Sequence, residues 1–403
     1  MHAKNTAENG KVGKDMFNGL HVIDSDTHLS EPHDLWTRNA SSALRDRVPQ
    51  VKQIDGVNHW IVDGDVDMGP ATPVSVVRRD GKKSDGLEFF GWKLEDVHEA
   101  SYDMKARVRL MDELGIHAQI IYPNAAGFGN QNFLKVKDEK LRLACAQIYN
   151  DSVAELQEQS DNRLFPMALV PWWHIDSCAK EIERAHALGL RGVVMCSDPD
   201  SGGLPDLGDP AWDPFWDVCG ELEMPVNFHI GASQTSFNMF GTASWNSMDM
   251  SERLALGSAT LFFDNARVLG NLLYSGILER FPKVKVVSVE SGIGWIPFLL
   301  ETLDYEAQET GSYKNGKLKM LPSEYFRRQV YGCFWFETNA PQKLIQDVGV
   351  NNVLFETDFP HPTCLYPNNR NHLQKAMGHL DENICRRVLQ DNAAELYRIP
   401  LPS

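Results

Sequence analysis

Short apolar, β-branched runs alternate along this chain with longer stretches of helical periodicity. The first run covers residues 21–26 (HVIDSD). The second, 118–122 (AQIIY), follows the amphipathic ARVRLMDELGI, and the third, 164–170 (LFPMALV), follows a helix-like stretch ending at Gln159. The fourth, 191–196 (RGVVMC), comes after CAKEIERAHALGL, whose Gly189 reads as a helix stop. Runs at 225–230, 284–290, 330–337 and 353–358 bring the set to eight. Alternating strands and helices predict a parallel sheet, and eight units predict an α/β protein of the (β/α)8 TIM-barrel class. An open doubly wound sheet normally carries a glycine-rich phosphate turn after its first strand, and DSDTHLSEP has no glycine.

Three segments stand outside the alternation or qualify it. Residues 1–18 are polar and read as a flexible tail without the apolar stretch of a signal peptide, leaving 19–403 as a single barrel domain. Residues 37–104 read as an insertion after strand one. Within it NHWIVDGDV suggests a hairpin near Trp60, and RRDGKKSDG an exposed turn. Loops that follow barrel strands build the mouth of the site, so the insertion fits a lid; a surface subdomain is the plainer alternative.

Composition narrows the class. With 403 residues, 42% of them hydrophobic and 23% charged, the chain can bury a large core without disulfides. Seven cysteines without a CxxC pair point to reduced thiols in the cytoplasm and against a thiolate zinc site; Cys196 and Cys333 sit in apolar runs as core residues. A net charge of −16 excludes a nucleic-acid surface. No apolar run approaches the roughly 20 residues needed to cross a bilayer, so no membrane contact is expected. The expected partner is a small-molecule substrate.

The chemistry concentrates at strand ends. In HVIDSDTHLSEPHDLW, Asp24, Asp26 and His28 have one parity and are expected on one face. Asp26 and His28 together offer a carboxylate and an imidazole, half of a metal site, although capping or solvation would also explain the pair. His229 ends strand five, Glu290 strand six and Asp358 strand eight, with His361 just beyond. In a barrel these groups face one mouth. Buried together without charge compensation they are expensive, and a divalent cation supplies the compensation.

Other residues carry two readings. His174, after strand three, faces substrate or packs on Trp173 in its loop. His361 is an acid/base or a turn contact in FPHP. Glu31 acts near the metal or belongs to a helix start in SEPHD, with His33 on that turn's surface. Glu356 shares the parity of Asp358 but lies deeper, where it needs its own partner. Trp172, Trp173, Phe228, Trp245, Phe262, Phe263, Trp295 and Trp335 lie near strand ends or in the following helices and suit a ring-shaped substrate.

The D-x-H after strand one, the strand-five histidine and the strand-eight TDFPH resemble the amidohydrolase superfamily. The likeness is to the branch of aminocarboxymuconate semialdehyde decarboxylase and related aromatic-acid decarboxylases. EPHDLW, ESGIGWIPFLLETLD and DNAAELY support it, and the marks span residues 21–397. The resemblance implies Asp26 and His28 as first-strand ligands, His229 as the fifth-strand ligand and Asp358 as the eighth. Two departures matter: Asp26 stands where many members have histidine, and Glu290 stands at a position that is often histidine. Strand four ends in VVMCSDP, without the lysine or glutamate that bridges two metals. This favours one ion of zinc, manganese or iron, or two if Glu290 is the bridge. Homodimers are common among relatives.

The implied reaction is hydrolysis or non-oxidative decarboxylation of a small aromatic or unsaturated carboxylic acid or acyl derivative. A carboxylate-rich site with Glu290 as an extra ligand also suits a non-haem (di)iron oxygenase or hydroxylase. A silent ligand-binding barrel is the third reading, and the full set of strand-end ligands speaks against it.

Overall fold

Each of the eight apolar runs forms a strand, and the third forms two. The computed structural model describes residues 19–85, 88–236, 238 and 244–402; the expected tail at 1–18 lies outside the described residues. In chain order, β1 is Val22–His28, β2 Gln50–Ile54, β3 Val57–Val62, β4 Val66–Pro70 and β5 Ile116–Tyr122. β6 (Leu164–Pro166) and β7 (Ala168–Leu169) share the third run. β8 (Val193–Val194), β9 (Val226–His229), β10 (Val286–Val289), β11 (Val330–Phe334) and β12 (Val353–Phe355) follow. They build a parallel sheet of order β1-β5-β6 and a second parallel sheet of order β12-β11-β10-β9-β8-β7. The parallel α/β architecture expected from the alternation is present. Its strands are deeply buried: the Val22, Val193, Val226, Val286 and Val353 side chains are fully shielded from water.

Hydrogen bonds continue past the edges of both sheets. Met167 separates β6 from β7; its N–H bonds Ile121 O, while the next N–H, of Ala168, turns to Gly192 O. At the opposite edge Asp358 N–H donates to Asp26 O, and His28 N–H to Phe359 O. A parallel bridge joins Thr27 and Phe359 there. Deeper in, Asn227 accepts from the hydroxyls of Tyr122 (3.0 Å) and Tyr397 (2.7 Å) and donates to Val193 O. The DNAAELY segment works from the same end: Asn392 donates to Val350 O and Val353 O, seating the start of β12.

Helix ends follow local chemistry. The helix Met104–Leu114 starts on an Asp103 side chain that accepts from Ala106 N–H and stops at Gly115 in the left-handed region. Gly189 (φ +93) follows the helix Ile175–Ala187 as expected. No described helix is long and apolar enough to cross a membrane. All seven cysteines are buried and unpaired.

The segment after β1 holds more than a hairpin. β2, β3 and β4 form an antiparallel meander, with Ile54 opposite Val57 across a two-residue Asp55-Gly56 loop in which both residues have positive φ. Trp60 of β3 is buried edge-on against Trp36 of the helix Leu35–Asn39, ring centroids 5.2 Å apart. Trp36 in turn donates from Nε1 to Cys145 O of the helix Glu139–Gln159.

One expectation is overturned within β1. Opposite β5 the register slips between Asp24 and Thr27, where three residues of β1 match two of β5. The extra residue turns the chain over, so Asp24 leaves the face of Asp26 and His28. It accepts from Gln119 Nε2 (3.0 Å), Thr357 N–H (2.8 Å) and Thr357 Oγ1 (2.7 Å) instead.

The loop after β5 approaches the ends of β8 and β9 so closely that only glycine fits at 129. A Cβ there would lie 2.9 Å from Cys196 Cα and closer still to Ala232 O, both backbone atoms. Gly129→Ala is therefore expected to cost about 1–3 kcal/mol by overpacking, lowering Tm by about 1–4 °C for a chain of this size. Gly270, inside the helix Asp264–Tyr274 with open space around it, is the control. Gly270→Ala should leave Tm unchanged or raise it, as thermal unfolding of the two variants will show.

Candidate metal centre

Five side chains from four strand ends meet in one buried volume. Asp26 and His28 come from the last turns of the pleat in β1, and His229 is the final residue of β9. Glu290 follows β10 directly and Asp358 lies three residues past β12. Both of these acids adopt the left-handed region, at φ +55 and +57, which non-glycine residues rarely occupy and which stores about 1–3 kcal/mol each. That strain bends the chain at the two positions where a carboxylate must point back into the site.

The distances define a single locus. His28 Nε2 lies 3.5 Å from Asp26 Oδ1 and 3.7 Å from Asp358 Oδ1. His229 Nε2 lies 3.5 Å from Asp26 Oδ2 and 3.3 Å from Glu290 Oε2. Three overlapping triads have ligand atoms within 4.8 Å of one another: Asp26-His28-His229, His28-Asp358-His361 and Asp26-Glu290-Asp358. Both carboxylate oxygens of Asp26, Nε2 of His28 and His229, and Asp358 Oδ1 are buried without a hydrogen-bond partner. His229 Nδ1 faces Ile230 O at 2.8 Å, so its proton belongs on Nδ1 and the Nε2 lone pair points into the cluster.

Without a cation Asp26, Glu290, His28 and His229 are driven toward their neutral forms. Burial, then the charges of Asp358 and Asp24, pushes the Asp26 carboxyl well up. Burial followed by Asp358, Asp26 and Glu356 does the same to Glu290. Burial drives His28 well down, helped by His361 and His229, and pushes His229 down to about 4. Unpaired acceptors, neutral imidazoles and crowded carboxylates are the donor set that a divalent ion satisfies. The buried site can hold a divalent metal ion.

Around this locus the remaining sequence candidates separate. His361 joins it: Nδ1 is 3.0 Å from Asp358 Oδ1, and the ring stacks on His28 at 3.7 Å between centroids. Its Nε2 faces Asn124 Oδ1 at 3.1 Å, and Asn124 Nδ2 donates to Leu29 O, which fixes the amide's orientation. Glu31 is buried, but its Oε1 accepts from the N–H groups of Asn124 (2.7 Å) and Ala125 (3.1 Å). It clamps the turn after β5 and reaches the cluster only through Asn124. His174 stays apart: it is exposed at the start of the helix Ile175–Ala187, its Nδ1 2.9 Å from Ser177 Oγ. Its position at a helix entrance turns the ring outward.

Sequence reasoning passed over the loop after β5. Phe128 covers the site, its ring 4.1 Å from that of His229 and 5.2 Å from that of His28. The signal available was an aromatic between two glycines in AAGFGNQ, directly after a strand. Thr363 Oγ1, which donates to Asp358 Oδ2 at 3.1 Å, was also unmarked. Of the expected mouth aromatics, Trp172, Phe228 and Trp335 are buried, whereas Trp245 and Phe263 are exposed. Behind the site Asp24 is held up at about 7 by burial against the pull of its Thr357 and Gln119 hydrogen bonds. Arg107, fully buried, donates to His28 O, Gln119 Oε1 and Ala100 O.

Comparison with known proteins bears on the family and the fold. The amidohydrolase family's sequence profile matches residues 23–399. A γ-resorcylate decarboxylase from a Polaromonas species is 25% identical over 263 residues, 63% of this chain and 76% of that protein. Among solved structures, an amidohydrolase from Mycobacterium avium subsp. paratuberculosis matches 94% of this chain and 99% of its own, with a TM-score of 0.73 and 22% identity. A dihydroxybenzoic acid decarboxylase from Polaromonas, with bound manganese and the inhibitor 2-nitroresorcinol, covers 94% and 97% with a TM-score of 0.59 at 18% identity. The structural likenesses show a shared fold.

Binding of a metal to the folded state alone must stabilise it. At a free Mn2+ concentration 100-fold above Kd the gain is about 2.7 kcal/mol, or about 3 °C in Tm for a chain of this length. His229→Ala and Asp358→Asn should each remove most of that shift and lower the metal retained after gel filtration. A full shift in both variants would place the ion elsewhere.

Proposed function

The chain belongs to the amidohydrolase family, and we propose that it is an enzyme for the non-oxidative decarboxylation of a small aromatic acid. The observation that carries this reading is the Asp358–His361 pair, 3.0 Å apart, set against the Asp26-His28-His229 triad under the ring of Phe128. A proton holder, a cation site and an aromatic wall then meet at one point. The decarboxylase names of the similar proteins lend support.

In this reading Asp26, His28, His229 and Asp358 hold one divalent ion, with Glu290 as the fifth group beside it. One ion is favoured because every two of the three triads have a residue in common, Asp26, His28 or Asp358. Manganese is the first choice, by analogy with the manganese-bound structure. Once bound, the ion supplies positive charge to orient the substrate carboxylate and a neighbouring oxygen. Phe128 packs the ring of the substrate against the imidazole side of the site. His361, whose Nδ1 lies 3.0 Å from Asp358 Oδ1, delivers a proton to the ring carbon that bears the carboxylate. The carbon–carbon bond then breaks, its electron pair returns to the ring, and carbon dioxide leaves. Asn124, fixed by Leu29 and by Glu31 on its N–H, keeps His361 at that angle.

The same proposal covers the architecture. The two parallel sheets are arcs of one (β/α)8 barrel that meet at Met167 and at the Thr27–Phe359 bridge, within a single domain of residues 19–403. Residues 37–104 are an insertion after strand one, with β2–β4 as part of a lid. Seven buried free thiols agree with a reducing, cytoplasmic setting.

Hydrolysis and oxygenation on the same site leave different products. Protein loaded with Mn2+ and given hydroxybenzoates in D2O should release carbon dioxide and place one deuterium on the vacated ring carbon. Label from H2(18)O in the aromatic product would indicate hydrolysis instead. Oxygen consumption with two irons per chain would establish the oxygenase. His361→Ala should keep its metal and lose about 10²–10⁴-fold in kcat, the range for removal of a general acid.

A further inference from the structure

An indole N–H sealed from water normally finds an acceptor. Five tryptophans have fully buried side chains: Trp36, Trp172, Trp212, Trp216 and Trp335. Four donate from Nε1 to a backbone carbonyl, those of Cys145, Gly129, Pro205 and Leu207, at 2.8–3.0 Å. Trp335 does not; its Nε1 is buried and without a hydrogen-bond partner. A donor left in that state carries its desolvation cost uncompensated, unless a ligand or an ordered water meets it.

Its place in the fold says which acceptor to expect. Trp335 directly follows β11, two residues beyond Cys333 and so on the same face. Alternation continues past the strand, since Trp335 is buried and Phe336 is half exposed. The register of β11 on β12 pairs Cys333 with Leu354 and Phe334 with Phe355, which brings Trp335 beside Glu356. Glu356 accepts the N–H of Glu290 at 3.2 Å. Trp335 thus lies at the same end of the sheet as His229, Glu290 and Asp358, level with Glu356. Phe262, from the turn before the helix Asp264–Tyr274, packs edge-on against it at 5.3 Å.

We propose that Trp335 is a substrate-anchoring residue whose Nε1–H donates to an oxygen substituent on the aromatic ring of the substrate. The inference rests on the aromatic-acid reading above. It adds a specificity element, selecting ring-oxygenated acids over those that offer no second acceptor.

Two nitrophenols separate the alternatives. The nitro group and one phenolic oxygen of 2-nitrophenol stand in for the carboxylate and its neighbouring oxygen; 2-nitroresorcinol adds a second ring oxygen. Titration of each into the full-length, Mn2+-loaded protein and into Trp335→Phe gives four dissociation constants. The variant should weaken 2-nitroresorcinol about 3–10-fold, the range for one neutral hydrogen bond, and leave 2-nitrophenol within twofold. Equal loss for both probes, or no loss for either, would overturn the anchor and leave Trp335 as packing or as a water partner. A wild-type protein that binds neither probe overturns the aromatic-acid reading together with the anchor. Selective loss without turnover of any hydroxybenzoate keeps the anchor and rejects the reaction. If Trp335→Phe does not fold, the structure of wild type with 2-nitroresorcinol decides: Nε1 within about 3.2 Å of a ring oxygen supports the anchor, and a water on Nε1 overturns it.

Discussion

Carboxylates and imidazoles buried together at one end of parallel strands are costly unless a cation lies among them. Asp26, Glu290, Glu356 and Asp358 crowd one another, and burial together with neighbouring charges drives Asp26, Glu290 and Glu356 up and His28 down. Much of the local backbone is arranged around this conflict. The register slip in β1 frees Asp26 and His28 to face the locus while Asp24 turns away. Glu290 and Asp358 both take left-handed backbone angles to bring their carboxylates back toward it. Such outliers persist only where the surroundings over-determine them.

The surroundings here do so through a buried hydrogen-bonded chain behind the ligands. Thr357, between Glu356 and Asp358, gives both its N–H and its hydroxyl to Asp24. Asp24 also takes Gln119 of β5, and Gln119 takes Arg107, which donates to His28 O. Burial pushes Arg107 down to about 9, so it keeps its charge near neutral pH while it makes three buried hydrogen bonds. In this way β1, β5 and the end of β12 are locked in one register, and that register sets the positions of Asp26, His28 and Asp358. A second chain, Glu31 to Asn124 to His361, holds the proton-bearing side from the turn after β5.

Much of this was legible in the sequence because parallel α/β proteins place their chemistry at strand ends. Eight apolar runs located the strands, and the strand-end positions of Asp26, His28, His229 and Asp358 pointed them to one mouth across more than 300 residues. What escaped has physical causes. A bulge is one extra residue with no composition of its own, so Asp24 was assigned to the wrong face. Phe128 and Asn124 carry no titratable group and sit in a loop whose path depends on the close approach of Gly129 to Cys196 and Ala232. His174, read as facing substrate or packing on Trp173, stands at an exposed helix entrance. Aromatic residues near strand ends could not be sorted into core and mouth, and Trp335 was hidden among them until its unpaired N–H set it apart.

The account depends on one cation at one point. Anomalous diffraction above and below the manganese edge, on crystals of the metal-loaded protein, tests this most directly. One peak at about 2.0–2.3 Å from atoms of Asp26, His28, His229 and Asp358 is the predicted result. Two peaks bridged by Glu290, or a peak away from these side chains, would contradict it.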